Sequence, residues 1–104
     1  MLENKISAYL GFAMKANKVI FGFDNLKKYD KKLYLIIICK SANDKYNQFS
    51  LEKKKITNCD VYKTNNILLD DLIFKSNCKI IGIKNKELAT AIINNKADNL
   101  VEVI

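Results

Sequence analysis

Apolar positions recur at helical spacing near the start of the chain, where Ile6, Tyr9, Leu10, Ala13 and Met14 share one face with Leu2 a turn earlier. That spacing predicts an amphipathic helix of about three turns. Asn17 ends it, because asparagine enters the left-handed cap conformation almost as readily as glycine. The stretch "KVIF" (18–21) then reads as a short strand broken by Gly22, after which Asp24 or Asn25 is placed to cap a second helix reaching Tyr29. "LYLIIIC" (33–39) is continuous and rich in β-branched residues, the pattern of a central strand covered on both faces. "SAND" (41–44) supplies a turn whose asparagine and aspartate start a third helix. That helix runs to about Ile56, with Tyr46, Phe49 and Ile56 inward and Lys53, Lys54 and Lys55 largely outward.

Further along, "CDVYK" (59–63) predicts a short lateral strand, and "NILLDDLIFKS" (66–76) sets Leu68, Leu69, Leu72 and Ile73 on one helical face. "CKIIGIK" (78–84) predicts another strand. Leu88, Ala91 and Ile92 line a last helix that fades at Asn94, Asn95 and Asp98. The tail "LVEVI" (100–104) fits either a short final strand or a packed strap. Strands alternating with helices, without linker or repeat, point to one domain over residues 1–104 of the layered α/β/α class.

Composition narrows the chemistry. The chain has 104 residues and a net charge of +7, with every basic residue a lysine and no histidine, proline or tryptophan. Excess positive charge suits a polyanionic partner, and lysine offers a point charge for phosphate rather than a planar fork for base edges. Without histidine there is no ordinary imidazole base, and the adjacent Asp70 and Asp71 diverge on a helix instead of pairing. The three glycines are too scattered for a phosphate-cradling loop, so the sequence reads as non-enzymatic. Cys39, Cys59 and Cys78 are too spread for a zinc site or disulfide framework and read as free thiols in a reduced, cytoplasmic setting. No cofactor or metal is implied. The longest apolar run is too short to span a bilayer.

Three blocks carry a family resemblance. "YLGFAMKANKVIFGFDNLKK" (9–28) resembles the opening of the L7Ae/L30e-type ribosomal proteins, most closely their short bacterial YlxQ-type members. Leu10, Gly11, Phe12 and Ala13 match the first part of that signature, and Ala16, Asn17 and Lys18 match its alanine-glycine-lysine. "LYLIIICKSANDK" (33–45) is similar to the family's central strand and following turn, and "KIIGIKNKELATAI" (79–92) to its last internal strand and helix. The resemblance implies an L30e-like three-layer α/β/α sandwich around a small mixed four-stranded sheet. It also implies a non-catalytic, monomeric RNA-binding protein, associated with ribosomal or structured regulatory RNA and with the ribosome. The implied target is a kink-turn or a related bent RNA.

The residues that the resemblance assigns to RNA are Lys18, Gly22, Phe23, Asp24, Asn25, Lys28, Lys75 and Asn77. Gly22 stands where backbone approaches RNA, and Lys18 is expected at the same end. Of the reading positions after that glycine, only Lys28 matches outright; Asp24 replaces an asparagine. Ile73 stands where relatives carry glycine, and the loop after that helix is reduced to "KSN" (75–77), which leaves little apolar surface to press on bases. These departures support an alternative, a ribosome-accessory or protein-interaction module that keeps the fold without specific kink-turn recognition. A contiguous basic patch around Gly22, Lys28 and Lys75 favours RNA; scattered lysines favour the alternative.

Overall fold

The computed structural model describes residues 5–103; Leu2 and Ile104, used in the readings above, lie outside them. In chain order the elements are α1 (Lys5–Lys15), β1 (Val19–Phe21), α2 (Phe23–Lys28), β2 (Leu35–Ile38) and α3 (Asp44–Thr57). They continue with β3 (Asp60–Thr64), α4 (Leu69–Ile73), β4 (Ile80–Ile83), α5 (Lys86–Asn94) and β5 (Leu100–Glu102). The strands form one mixed sheet in the order β1-β4-β2-β3-β5, with β2 and β3 parallel and the other neighbours antiparallel.

The central strand is the one that the continuous apolar run predicts. Leu35, Ile37 and Cys39 face a core shared with Ile6 and Leu10 of α1, Leu72 of α4 and Ile92 of α5. Ile36 and Ile38 face the other core, with Leu26 of α2 and the rings of Tyr46 and Phe49 of α3 against it. The result is an α/β/α sandwich, with α1, α4 and α5 on one face and α2 and α3 on the other.

Asparagine does much of the turning. Asn17 takes φ 57°, its amide donates to the Met14 carbonyl (3.1 Å), and the Lys18 amide reaches the Ala13 carbonyl (2.8 Å), which closes α1 by the double bond of a Schellman motif. Asn43 and Asn85 cap α3 and α5, accepting from the amides of Lys45 (3.1 Å) and Leu88 (2.8 Å).

Several expectations are corrected. The sheet has a fifth strand: residues 100–102 pair with β3, so β3 is flanked on both sides rather than lateral. The cap of α2 is Gly22, without a side-chain bond, while the Asn25 amide donates backwards to the Phe21 carbonyl at 2.8 Å. Ile56 is 78% exposed, and the small Ser50 takes the buried position on α3. Helix α4 is five residues long: the left-handed Asn66 precedes it, and the Asp70 carboxylate accepts from the amides of Asn77 (3.2 Å) and Cys78 (3.1 Å) beyond its end. On α5, Ala89 is buried with Ile92, and Leu88 and Ala91 are half-buried.

Gly82 of β4 decides how closely α2 sits on the sheet. A Cβ there would lie 2.5 Å from Leu26 Cδ2 and 3.1 Å from Leu33 Cδ2, in the fully packed second core. Gly82→Ala should therefore cost about 1–3 kcal/mol of overpacking strain. Chemical denaturation checks this; an unchanged unfolding midpoint would show that α2 is free to move off the sheet.

Candidate nucleic-acid interface

Strands β1, β2 and β3 run in the same direction, and β4 and β5 oppose them. One end of the sheet therefore gathers the β1–α2 turn at Gly22, the β2–α3 turn at Lys40–Asn43, and the α4–β4 loop from Phe74 to Lys79. Loops clustered at the carboxyl ends of parallel strands are where layered α/β sheets place ligands.

Gly22 sits at φ 86°, ψ 160°, a backbone region essentially confined to glycine. A Cβ there would meet no atom within 4 Å, so the constraint lies in the backbone while the space before it is open. The Gly22 amide donates to the Ile80 carbonyl at 3.0 Å, which pins the turn to the sheet end. Immediately before it, the half-buried Phe21 ring carries the Lys75 ammonium 4.8 Å from its centroid.

The residue next to Lys75 is the one that sequence reasoning missed. Phe74 is 84% exposed and left-handed at φ 54°, and its amide donates to the Asp70 carbonyl. A bulky side chain in that conformation is rare and strained. Helical spacing carries the signal for it: with Leu69, Leu72 and Ile73 facing inward, position 74 falls on the opposite side. The apolar surface that "KSN" lacks is thus supplied one residue earlier. Asn77 takes φ 60° and holds the loop's return to β4.

The other sequence-assigned residues divide. Asp24 is exposed in the first turn of α2, beside Gly22. Phe23 packs against Phe49 (centroids 4.6 Å apart) and Tyr46 (5.7 Å), with Lys45 over its ring, so it joins α2 to α3. Lys28 stands in the last turn of α2, about 9 Å along the helix axis from Gly22 at 1.5 Å per residue. Lys18 is at the far end of β1, where its carbonyl accepts from the Lys84 amide, and not beside Gly22 as expected.

Charge at the Gly22 end is nearly balanced, since Asp24, Asp44, Asp70, Asp71 and Asp98 stand among Lys40, Lys45, Lys75, Lys79 and Lys96, the last pair in the α5–β5 loop beside the end of β3. A short polar chain runs through it: the Lys79 ammonium donates to Ser41 Oγ (2.7 Å), which lies 3.2 Å from Cys39 Sγ, and the Leu69 amide donates to the same sulfur (3.4 Å). Burial pushes the Cys39 thiol up, but the Ser41 and Leu69 hydrogen bonds and the Lys79 charge outweigh it and hold the thiol below its ordinary value. Cys59 and Cys78 are pushed up, mainly by burial. All three are free thiols. Among the described residues no group of three histidine, cysteine or acidic side chains is placed to hold a metal ion, and no helix is long and apolar enough to cross a membrane.

No family model matches the chain, and no curated protein matches it. A solved structure from Bacillus halodurans C, described as a protein with unknown function, is similar with a TM-score of 0.77 at 22% sequence identity. The match covers 88% of this chain and 96% of the other. Identity at that level establishes a shared fold and nothing about what either chain binds.

The thiol environments differ enough to measure. Alkylation with iodoacetamide across a pH series, mapped by peptide mass spectrometry, should give Cys39 a midpoint below those of Cys59 and Cys78. A Cys39 midpoint equal to or above the other two would contradict the Lys79–Ser41–Cys39 arrangement.

Proposed function

We propose that this chain is a non-catalytic RNA-binding protein of the L7Ae-like type, which holds a bent RNA at the sheet end marked by Gly22 and Phe74. The observation that carries this reading is Phe74: a phenylalanine ring 84% exposed, on a left-handed backbone, beside a lysine seated on a second ring and a glycine-only turn. Strained backbone that a fold maintains at its surface tends to mark a site of use. An exposed ring offers a stacking platform for an unpaired base, and every base presents a π-face to it. Gly22 leaves open space where a sugar-phosphate backbone can come close, and Lys75, a step away on Phe21, is placed for phosphate.

The near-balance of charge at this end makes the contact one of shape and stacking more than of Coulomb attraction. It also favours a second reading, an accessory module that docks a protein surface there instead. Exposed aromatic anchors serve protein interfaces as well as they serve bases.

Phe74→Gly separates the two demands on that position. Glycine relieves the left-handed strain, so thermal stability should hold or rise, by up to about 1 kcal/mol. The stacking contribution of the ring, about 1–3 kcal/mol per base, should be lost. Fluorescence anisotropy with a labelled kink-turn RNA is expected to show weaker binding by Phe74→Gly alongside an intact melt. Gly22→Val, with its melt recorded in parallel, should bind more weakly still. Unchanged kink-turn binding by folded Phe74→Gly would contradict the RNA assignment and favour the protein-docking reading.

A further inference from the structure

Among the described residues, lysines outnumber acids most clearly at the end of the sheet opposite Gly22. Antiparallel pairing of β1 with β4 brings Lys18 and Lys84 together, the Lys84 amide donating to the Lys18 carbonyl at 2.8 Å. The α2–β2 connection descends to the same end and carries Lys31 and Lys32, just after Lys28 in the last turn of α2. Lysines thus reach this end from three separate segments, exposed at Lys18, Lys28, Lys31 and Lys32 and half-buried at Lys84, and the topology gathers them.

Several of these cations are held in place. The Lys84 ammonium lies 5.9 Å from the Tyr29 ring centroid, and Lys32 lies 5.4 Å from that of Tyr34. Lys32 also donates to the Thr57 carbonyl at the end of α3, and Lys53 donates to the Tyr29 carbonyl at 2.7 Å. Both carbonyls close helices, where cations are favoured by the helix dipole. The acids at this end are Asp30 in the connection, Asp60 at the start of β3, Glu87 in the first turn of α5 and Glu102 at the end of β5. They are outnumbered by the lysines, in contrast to the balance at the Gly22 end.

We infer that this lysine-rich end is a second binding surface, one that takes the phosphate backbone of a straight RNA helix without regard to sequence. Ammonium groups spread over three segments, with no planar forks among them, match a line of phosphates and not a base edge. An anionic membrane would ask for apolar side chains to insert beside the lysines. At this end the exposed large hydrophobic residues among those described are Phe12 on α1 and Ile56 on α3, two side chains on opposite faces of the sheet that cannot enter one bilayer surface together, while Phe74 and Leu68 belong to the other end. With a shape-reading contact at Gly22 and a charge-reading contact opposite, one chain spans two RNA segments across the length of its sheet.

This inference stands apart from the reading of the Gly22 end, and its test uses a different probe. The probe is a labelled straight RNA duplex, titrated by anisotropy over a salt series. Lys18 and Lys31 are exposed on their side chains, so Lys18→Gln with Lys31→Gln leaves the fold alone. The double variant should bind the duplex about tenfold more weakly, with the slope of log affinity against log salt reduced by about two. Lys40→Gln with Lys96→Gln, at the Gly22 end, should change duplex affinity less than about twofold, the scale of an untouched phosphate contact. Phe74→Gly should leave duplex binding intact, so failure of the bent-RNA reading does not register here. Equal losses in the two lysine pairs, or a duplex that the unaltered protein does not hold at low salt, would overturn the inference. Binding to phosphatidylserine vesicles in place of duplex would overturn it as well.

Discussion

Strand β2 has no solvent side, and the placement of every other element follows from that constraint. Its residues alternate between two cores, so each face must be covered: α1, α4 and α5 close over Leu35 and Ile37, and α2 and α3 close over Ile36 and Ile38. The second cover is the tighter fit. It depends on β4 presenting a bare glycine where Leu26 comes down, and α2 reaches the sheet only because Gly82 has no Cβ. Once α2 is seated, Gly22 at its start and Tyr29 at its end are fixed at opposite ends of the sheet. The geometry of both candidate surfaces is inherited from the packing of the core.

Much of this was legible in the sequence, and the reasons are specific. "LYLIIIC" announced a strand buried on both faces because only that environment accepts an unbroken apolar, β-branched run. Asn17 and Asn43 announced a helix end and a helix start because their short amide side chains suit those backbones. The tail at 100–104 was ambiguous because a short stretch of mixed character pairs as an edge strand or straps a surface equally well. Only the exposed partner edge of β3 decides it, and that edge is a tertiary fact. Ile56 misled for a related reason: an apolar residue near a helix end reads as inward by type, yet the face of α3 that meets the sheet is set by Tyr46, Phe49 and Ser50.

The site was less legible. Its members come from separate loops, and a sequence does not state which loops share an end. Lys18 and Gly22 are four residues apart, which in a helix would place them together, but across a strand it puts them at opposite ends. Lys28 parts from Gly22 for the length of α2. Phe23, adjacent to the glycine, turns to the aromatic cluster with Phe49 and Tyr46. Phe74 was masked by its type: an aromatic following Leu72 and Ile73 reads as core, although helical spacing sets it on the opposite side from them. The net charge of the chain said nothing of its distribution, and the distribution separates a nearly neutral end with an exposed ring from a basic end with ordered ammonium groups.

On the reading proposed above, the two ends of one sheet meet RNA by different physics. Ultraviolet crosslinking of the purified protein to cellular RNA, followed by mass spectrometry of the crosslinked peptides, tests both ends at once. Crosslinks are expected at Phe74 or Phe21, with a separate set in the peptides that contain Lys18 and residues 29–34 and none centred on the β5 edge. An absence of crosslinked RNA, or crosslinks confined to the exposed flank of α5 and β5, would contradict it.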